Sequence, residues 1–493
     1  MNRPDAKLRT SPHLDGLRAY AVPRAPAPVD LKLDSNEGVS PPHSLLKMLL
    51  DAPPETMSRY NGAGDLESLI AEQLDITPDR IIVTAGGDEA IDRACRVYVA
   101  PDREVVVPVP TFEMCVTFAR LSGGQIRKTP WPDGPFPVDA VLDQVTERTG
   151  MIVLISPNNP TGLLIQPHEL EALAAAAPHV LLMVDLAYAP FAEVDLTPTV
   201  LRLPNALAVH TLSKGWGMAG LRVGYAVGAP EVIANLRVAG GPYPVSNLSL
   251  LLARTWLSEG RDEAARTVAL IKDERETLRA LLSELGARAY PTQGNFAFAH
   301  VDDPLWLRDA MAGMGIGIRY MPPDEGFAAG VRITCPGNDH DFARLTHALR
   351  TAMAPQALLF DLDGVLTADL FDADCLARLA KRLPLAVVTG RDRADAEAFL
   401  RERNIADLFS AVVGGDDAKA KPDPEPLQRA LSQLGVERGW LIGDEPDDMR
   451  AARAARVLGL GFSADASPAM TDALHEAGAA RVLSALAQLE DLL

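Results

Sequence analysis

The chain has 493 residues, enough for two or three compact units, and its 47% hydrophobic content is ample for buried cores. With 66 acidic against 47 basic residues the formal net charge is -19, which argues against nucleic acid or an anionic membrane surface as partner and makes any positive potential local. There is no apolar signal segment, no run approaching the roughly 18 apolar residues that span a bilayer, and no Cys-x-x-Cys among Cys95, Cys115, Cys335 and Cys375, so a cytoplasmic protein with free thiols and no zinc is expected.

Residues 1–30 are rich in Pro and Ala and read as an arm. Strand and helix patterns then alternate, as in an α/β fold. Two apolar runs, Met151–Ile155 before Ser156-Pro-Asn-Asn-Pro-Thr-Gly162 and Val180–Val184 before Asp185, predict buried parallel strands. Their carboxyl ends are where α/β sheets bind ligands, which places Asn159, Asp185 and, three residues on, Tyr188 at one edge. The segment Thr211-Leu-Ser-Lys-Gly-Trp-Gly-Met-Ala-Gly-Leu-Arg222 follows. Hydroxyls, glycines and a second cation around Lys214 suit an amine kept partly neutral, hence nucleophilic. Lysine forms an imine with an aldehyde, and pyridoxal phosphate is the aldehyde cofactor held this way, its phosphate finding Thr211, Ser213 and Arg222. Asp185 would keep the ring nitrogen protonated, and Tyr188 and Asn159 could hydrogen-bond the ring oxygen. Singly, each piece has a structural explanation as a turn or a helix cap; together, in this order, they point to a cofactor site. After about Pro244 a smaller domain is expected, with Lys272–Leu285 an amphipathic helix packed on its core.

This order resembles that of the fold-type I aminotransferases, and residues from about Leu33 to Thr351 resemble their histidinol-phosphate aminotransferase branch. The resemblance runs through Leu33-Asp-Ser-Asn-Glu37, Arg59-Tyr60, Thr84-Ala-Gly-Gly-Asp-Glu89, Pro110-Thr-Phe112, the Asn159 turn, Asp185 with Tyr188, Lys214 with Arg222, Pro242-Tyr-Pro244 and Val331-Arg-Ile-Thr334. It implies that Gly86, Gly87 and Asp88 cradle the phosphate at a helix start. It further implies that Phe112 stacks on the pyridine ring, that Tyr60 reaches the cofactor phosphate of a neighbouring subunit in a homodimer, and that Arg332 grips the substrate carboxylate through a bidentate fork. Tyr20 and Asn36 match positions near the substrate. Phe112 stands where Tyr is commoner, Asn-Gly-Ala-Gly follows Tyr60, and Cys335-Pro-Gly closes the Arg332 segment; these departures bear on the substrate rather than the cofactor.

Past the short junction Met353-Ala-Pro-Gln356, which implies fixed domain placement, the run Ala357-Leu-Leu-Phe-Asp-Leu-Asp363 ends an apolar strand in two carboxylates spaced i, i+2. Both leave the same face, ready to share a magnesium ion and a phosphoryl group. Thr389 ends a second apolar strand, Lys421 supplies a cation, and Asp444 with Asp448 adds carboxylates. These residues match the four motifs of haloacid dehalogenase-like phosphatases. The resemblance implies Asp361 as nucleophile, Asp363 as acid and base, Thr389 and Lys421 on the phosphoryl oxygens, and Asp361, Asp363, Asp444 and Asp448 around Mg2+. Only about 25 residues separate Asp363 from Thr389 and about 30 separate Thr389 from Lys421, too few for an inserted cap domain.

The expected organisation is an arm (1–30), an aminotransferase with large and small domains (31–353) and a capless Rossmann-like phosphatase (354–493). The expected pair of reactions is transamination of imidazole-acetol phosphate by glutamate and hydrolysis of the histidinol phosphate formed. The rivals are a decarboxylase of a phosphorylated amino acid such as phosphothreonine, an aminotransferase for another amino acid with an unrelated phosphatase, and a pyridoxal-binding regulatory protein without catalysis.

Overall fold

A computed structural model describes residues 10–21, 25–367, 372–465 and 467–493. The apolar runs of the first half build a seven-stranded sheet in the order Ile81–Thr84, Gly224–Gly228, Ala206–Thr211, Leu181–Asp185, Thr149–Ile155, Glu104–Val109, Gln125–Pro130. Neighbours run parallel except around Gly224–Gly228, which is antiparallel to both of its partners. Apolar clusters lie on both faces, so Thr149–Ile155 and Leu181–Asp185 are buried along their whole length, as continuous apolar runs demand.

A second sheet has the order Leu31–Leu33, Ile316–Met321, Gly330–Thr334, Phe296–His300, Arg288–Ala289, antiparallel except for its first pair. The helix expected over 272–285 packs on it but begins at Arg261. Within Arg261–Ile271 only Ala264 and Ile271 are buried, so the apolar stripe that announces the helix starts late. The N-terminal segment is more than an arm at its end. The Asp30 carboxylate accepts from Arg344 Nη1 (2.5 Å) and Nη2 (2.9 Å) and from Arg453, and Leu31 then starts the sheet.

The third sheet has six parallel strands in the order Phe409–Val413, Leu385–Val388, Leu358–Phe360, Trp440–Gly443, Leu458–Phe462, Val482–Leu483. Between its first two strands in the chain the described residues hold a tight turn and one helix, Ala373–Ala380; between Thr389 and Lys421 they hold the helix Arg393–Glu402, a 3-10 turn and a strand. No inserted domain among them covers the carboxyl edge. One apolar cluster runs from the second sheet into the third. At that seam the Trp306 and Trp440 rings meet edge to face at 5.5 Å, Trp440 Nε1 donates to the Thr351 carbonyl at 2.7 Å, and Gly313 lies so close to Ala480 that an added Cβ would sit 2.9 Å from it. No helix of the described residues is long and apolar enough to cross a membrane.

Two candidate active sites

The first site is a cavity of about 460 Å3 at the carboxyl edge of the seven-stranded sheet. Three neighbouring strands deliver Asn159, Asp185 and Thr211 to it, and the turn after the last adds Ser213 and Lys214. The helix Gly86–Tyr98 points its N-terminus there with Gly87 and Asp88, Phe112 precedes the helix Glu113–Leu121, and Arg332 comes from the second sheet. Tyr20 closes one side. Asn36 sits behind the wall, fully buried, with Nδ2 donating to the Tyr188 hydroxyl at 3.0 Å and Oδ1 accepting from Thr334. Tyr60 lies outside the cavity; it is 85% exposed and stacks on Tyr243 at 5.1 Å.

Lys214 Nζ donates to the Ser35 carbonyl at 3.0 Å and stands 5.8 Å from the centre of the Tyr188 ring. Burial, helped by the nearby Arg332 cation, brings its pKa down to about 8, which leaves the amine available as nucleophile and proton carrier. Asp185 accepts from the Ala187 amide at 2.9 Å, yet burial pushes its pKa up to about 6. A carboxyl in that state is returned to its ionised form by a cation beside it, so it is matched to a pyridinium. Arg222, in the left-handed region at φ 53°, donates to Asp88 at 3.0 Å and presses on Gly86, where an added Cβ would lie 2.8 Å from Nη2. The helix start, bare of side chains there, offers its free amides to an anion. Hydroxyls of Thr211 and Ser213, 2.9 Å apart, face the same place. The residues therefore fit pyridoxal phosphate.

Arg332 Nη1 donates to Asn159 Oδ1 at 2.6 Å and Nη2 to the Asp34 carbonyl at 2.8 Å, while its buried Nε has no partner. Asn159 thus commits Oδ1 to Arg332 and leaves Nδ2 for a ring oxygen. A residue overlooked in the sequence stands beside it. Arg319 is the cross-strand partner of Arg332, its guanidinium is 5.8 Å from the Tyr20 ring centre, and its buried Nη1 is also unpaired. Directly opposed residues of an antiparallel pair share a face. Only that register, which the alternating Ile316-Gly-Ile-Arg-Tyr does not announce, places two guanidiniums together.

The second site is a cavity of about 330 Å3 at the carboxyl edge of the six-stranded sheet. Lys421 Nζ donates to Asp361 Oδ1 at 2.6 Å, to Asp448 and to the Val388 carbonyl at 3.3 Å. Burial holds Asp361 above the ordinary carboxylate range against the pull of Lys421, and burial together with Asp448 raises Asp444 to about 6. Asp361, Asp444 and Asp448 each offer an oxygen, all within 4.8 Å of one another, the hard donor set that suits Mg2+. Thr389 is buried at its strand end and also lines the cavity. Asp363 lines it too but stands outside the carboxylate trio, more than half exposed and held by two bonds from Arg391, a residue the motif reading overlooked.

Comparison with known proteins agrees with both halves. The profile of the aminotransferase class I and II family matches residues 45–349, and that of haloacid dehalogenase-like hydrolases matches residues 373–461. The chain is 31% identical over 354 residues to an aromatic amino acid aminotransferase of Mycobacteroides abscessus, covering 70% of this chain and 99% of the relative. It is 32% identical over 359 residues to one of Mycobacterium tuberculosis, covering 70% and 98%. Among solved structures, histidinol-phosphate aminotransferase from Sinorhizobium meliloti in complex with pyridoxal-5'-phosphate aligns with a TM-score of 0.62 at 21% identity, over 70% of this chain and 99% of that one, a likeness of fold. Enzymes of the first family work with pyridoxal phosphate, and those of the second typically use Mg2+. The chain is an enzyme with a transferase and a hydrolase half, and it belongs to the class I and II aminotransferases.

Proposed function

We propose that the transferase half moves an amino group between glutamate and imidazole-acetol phosphate, and that the hydrolase half, residues 354–493, converts the resulting histidinol phosphate to histidinol. The observation that carries this is Arg332, which lines the cavity together with Ile91, Phe112, Met114 and Phe118, and Arg319, which stands directly across the strand pair from it, each with a buried N–H still unpaired. Two guanidiniums suit one substrate with two carboxylates and another with a phosphate. The apolar wall suits a flat ring, and a phosphoester site follows in the same chain. Bound at Lys214, pyridoxal phosphate supplies the electron sink for breaking the substrate's Cα–H bond. Lys214 Nζ carries the proton, Asp185 keeps the ring nitrogen charged, Tyr188 and Asn159 Nδ2 hold the ring oxygen, and Gly86, Gly87, Asp88, Thr211, Ser213 and Arg222 hold the phosphate. Tyr60 reaches the cofactor phosphate of a second copy in a cytoplasmic homodimer. Its exposure supports this, together with that of Leu50 and Met57.

In the hydrolase half, an Asp361 oxygen attacks phosphorus and the ester P–O bond breaks. Asp363 supplies the proton to the leaving oxygen and recovers it from the water that then releases phosphate from Asp361. Thr389 and Lys421 steady the phosphoryl oxygens, and Asp361, Asp444 and Asp448 would hold a Mg2+ ion that would supply positive charge to offset theirs. Relatives named for aromatic amino acids favour a second reading, in which the ring is carbocyclic and unphosphorylated and Arg319 serves only glutamate. Purified protein is given glutamate with imidazole-acetol phosphate or with phenylpyruvate, and 2-oxoglutarate and inorganic phosphate are followed. Turnover of the first with phosphate release is expected; turnover of phenylpyruvate alone would replace the proposal with the second reading.

A further inference from the structure

The seam between the second and third sheets holds a cavity of about 320 Å3 that neither catalytic site uses. Arg344 from the helix Asp339–Met353, Arg453 and Arg456 from the end of the helix Pro446–Ala454, and two histidines, His340 and His347, line it around one carboxylate, Asp30. Among the lining residues three guanidiniums stand against one carboxylate, with the Asp341 carboxylate just outside the lining acting on Arg344, on a chain whose net charge is -19. The chain's own Asp30 marks how these groups receive an anion. Arg344 meets it with both arms of its fork, and Arg453 donates to Oδ1, the oxygen that Arg344 Nη2 also reaches, a charge-assisted set of the kind guanidiniums form on carboxylates and phosphates.

Arg456 is the member without a partner; among the described residues its guanidinium makes no hydrogen bond or ion pair. Its backbone sits at φ 59°, just past a helix end, where the Val457 amide closes back on the Ala452 carbonyl at 2.9 Å. That left-handed position prefers glycine, and a side chain there costs about 1 kcal/mol. His347 Nε2 holds the Arg456 carbonyl at 3.0 Å. We infer that this seam cavity binds a phosphate group, with Arg456, Arg344 and Arg453 as its anchors. A phosphate group carries about -1.5 to -2 at neutral pH, which suits a cavity whose lining holds more guanidiniums than carboxylates. The volume stands at the small end of the roughly 300–1,000 Å3 typical of ligand pockets, so the bare ion or a small monoester fits. The site is separate from the phosphoester cavity, to which none of these residues contributes.

The test reads each arginine separately, so that phosphate bound at the catalytic sites does not interfere. Full-length protein loaded with pyridoxal phosphate, with magnesium chelated, is treated with phenylglyoxal, and labelling is located by peptide mass spectrometry against inorganic phosphate or glycerol 3-phosphate. Labelling of Arg456 slows several-fold with phosphate groups present; the probe that acts at the lower concentration tells whether the bare ion or an ester is the occupant. Arg456→Gly relieves the left-handed backbone and so keeps the fold, but raises the concentration needed to protect Arg453 by about ten-fold, the worth of one charge-assisted hydrogen bond. If neither probe slows labelling of Arg456, or if protection of Arg453 is unchanged in Arg456→Gly, the inference is overturned.

Discussion

Replacing Arg332 by lysine tests the substrate end of the transferase site, because the structure shows how little of the fork is already committed. Of its five N–H groups one goes to Asn159 and one to the Asp34 carbonyl, and the buried Nε has no partner. An incoming carboxylate can therefore take two parallel bonds while the guanidinium stays anchored. A lysine ammonium reaches at most one carboxylate oxygen and leaves Asn159 Oδ1 or the Asp34 carbonyl without a donor. Loss of one charge-assisted hydrogen bond is worth about 1.5–3 kcal/mol, so kcat/KM for glutamate should fall by roughly 10- to 150-fold. The assay is rapid-mixing of the cofactor-loaded protein with glutamate, following the cofactor absorbance and the 2-oxoglutarate formed. The spectrum before mixing should match wild type, since Lys214 and Asp185 are untouched. A half-reaction within two-fold of wild type would refute the placement of the carboxylate on Arg332.

Lys214→Ala should abolish the cofactor that borohydride reduction fixes to the protein; a fixed cofactor found on another lysine peptide would show that the nucleophile is elsewhere. A lysine whose pKa is lowered to about 8 gains its neutral form as pH rises through that value, so at pH 7 about one Lys214 in ten is neutral against roughly one in 3,000 for an ordinary lysine. Capture of pyridoxal phosphate by the apoprotein should accordingly speed up with pH and level off above about 8, and a rate still climbing past 10 would contradict the shift. Asp361→Asn, or chelation of Mg2+, should remove phosphate release from histidinol phosphate and leave transamination intact; loss of both activities would mean that the two sites are not independent. Trp440→Ala deletes a fully buried ring and its contacts with Trp306 and Thr351, at a cost of about 3–5 kcal/mol, which urea unfolding should register as a lowered midpoint.

The sequence was most legible where an apolar run ends in a polar residue. Asp185, Thr211, Asp361, Thr389 and Asp444 all close or follow such runs, and every one of them lines a cavity at the carboxyl edge of a sheet. A parallel strand buried on both faces leaves little choice about where its last polar residue points. Arg319 and Arg391 were illegible for the opposite reason. One depends on the pairing of two strands whose register no local pattern records, and the other on a loop folding back to the Asp363 carboxylate. Asp30 likewise looks like the tail of a Pro-rich arm until the two helices that supply Arg344 and Arg453 are brought together.

The apolar seam around Trp306 and Trp440 has a practical side. A gene fragment stopped at Met353 would leave Trp306, Gly313 and the far side of the helix Asp339–Met353 facing water, and one begun at Ala354 would bare Trp440 and Ala480. Apolar surface bared in this way favours inclusion bodies over soluble halves. Anyone wishing to produce either half alone should first recast those positions with polar side chains.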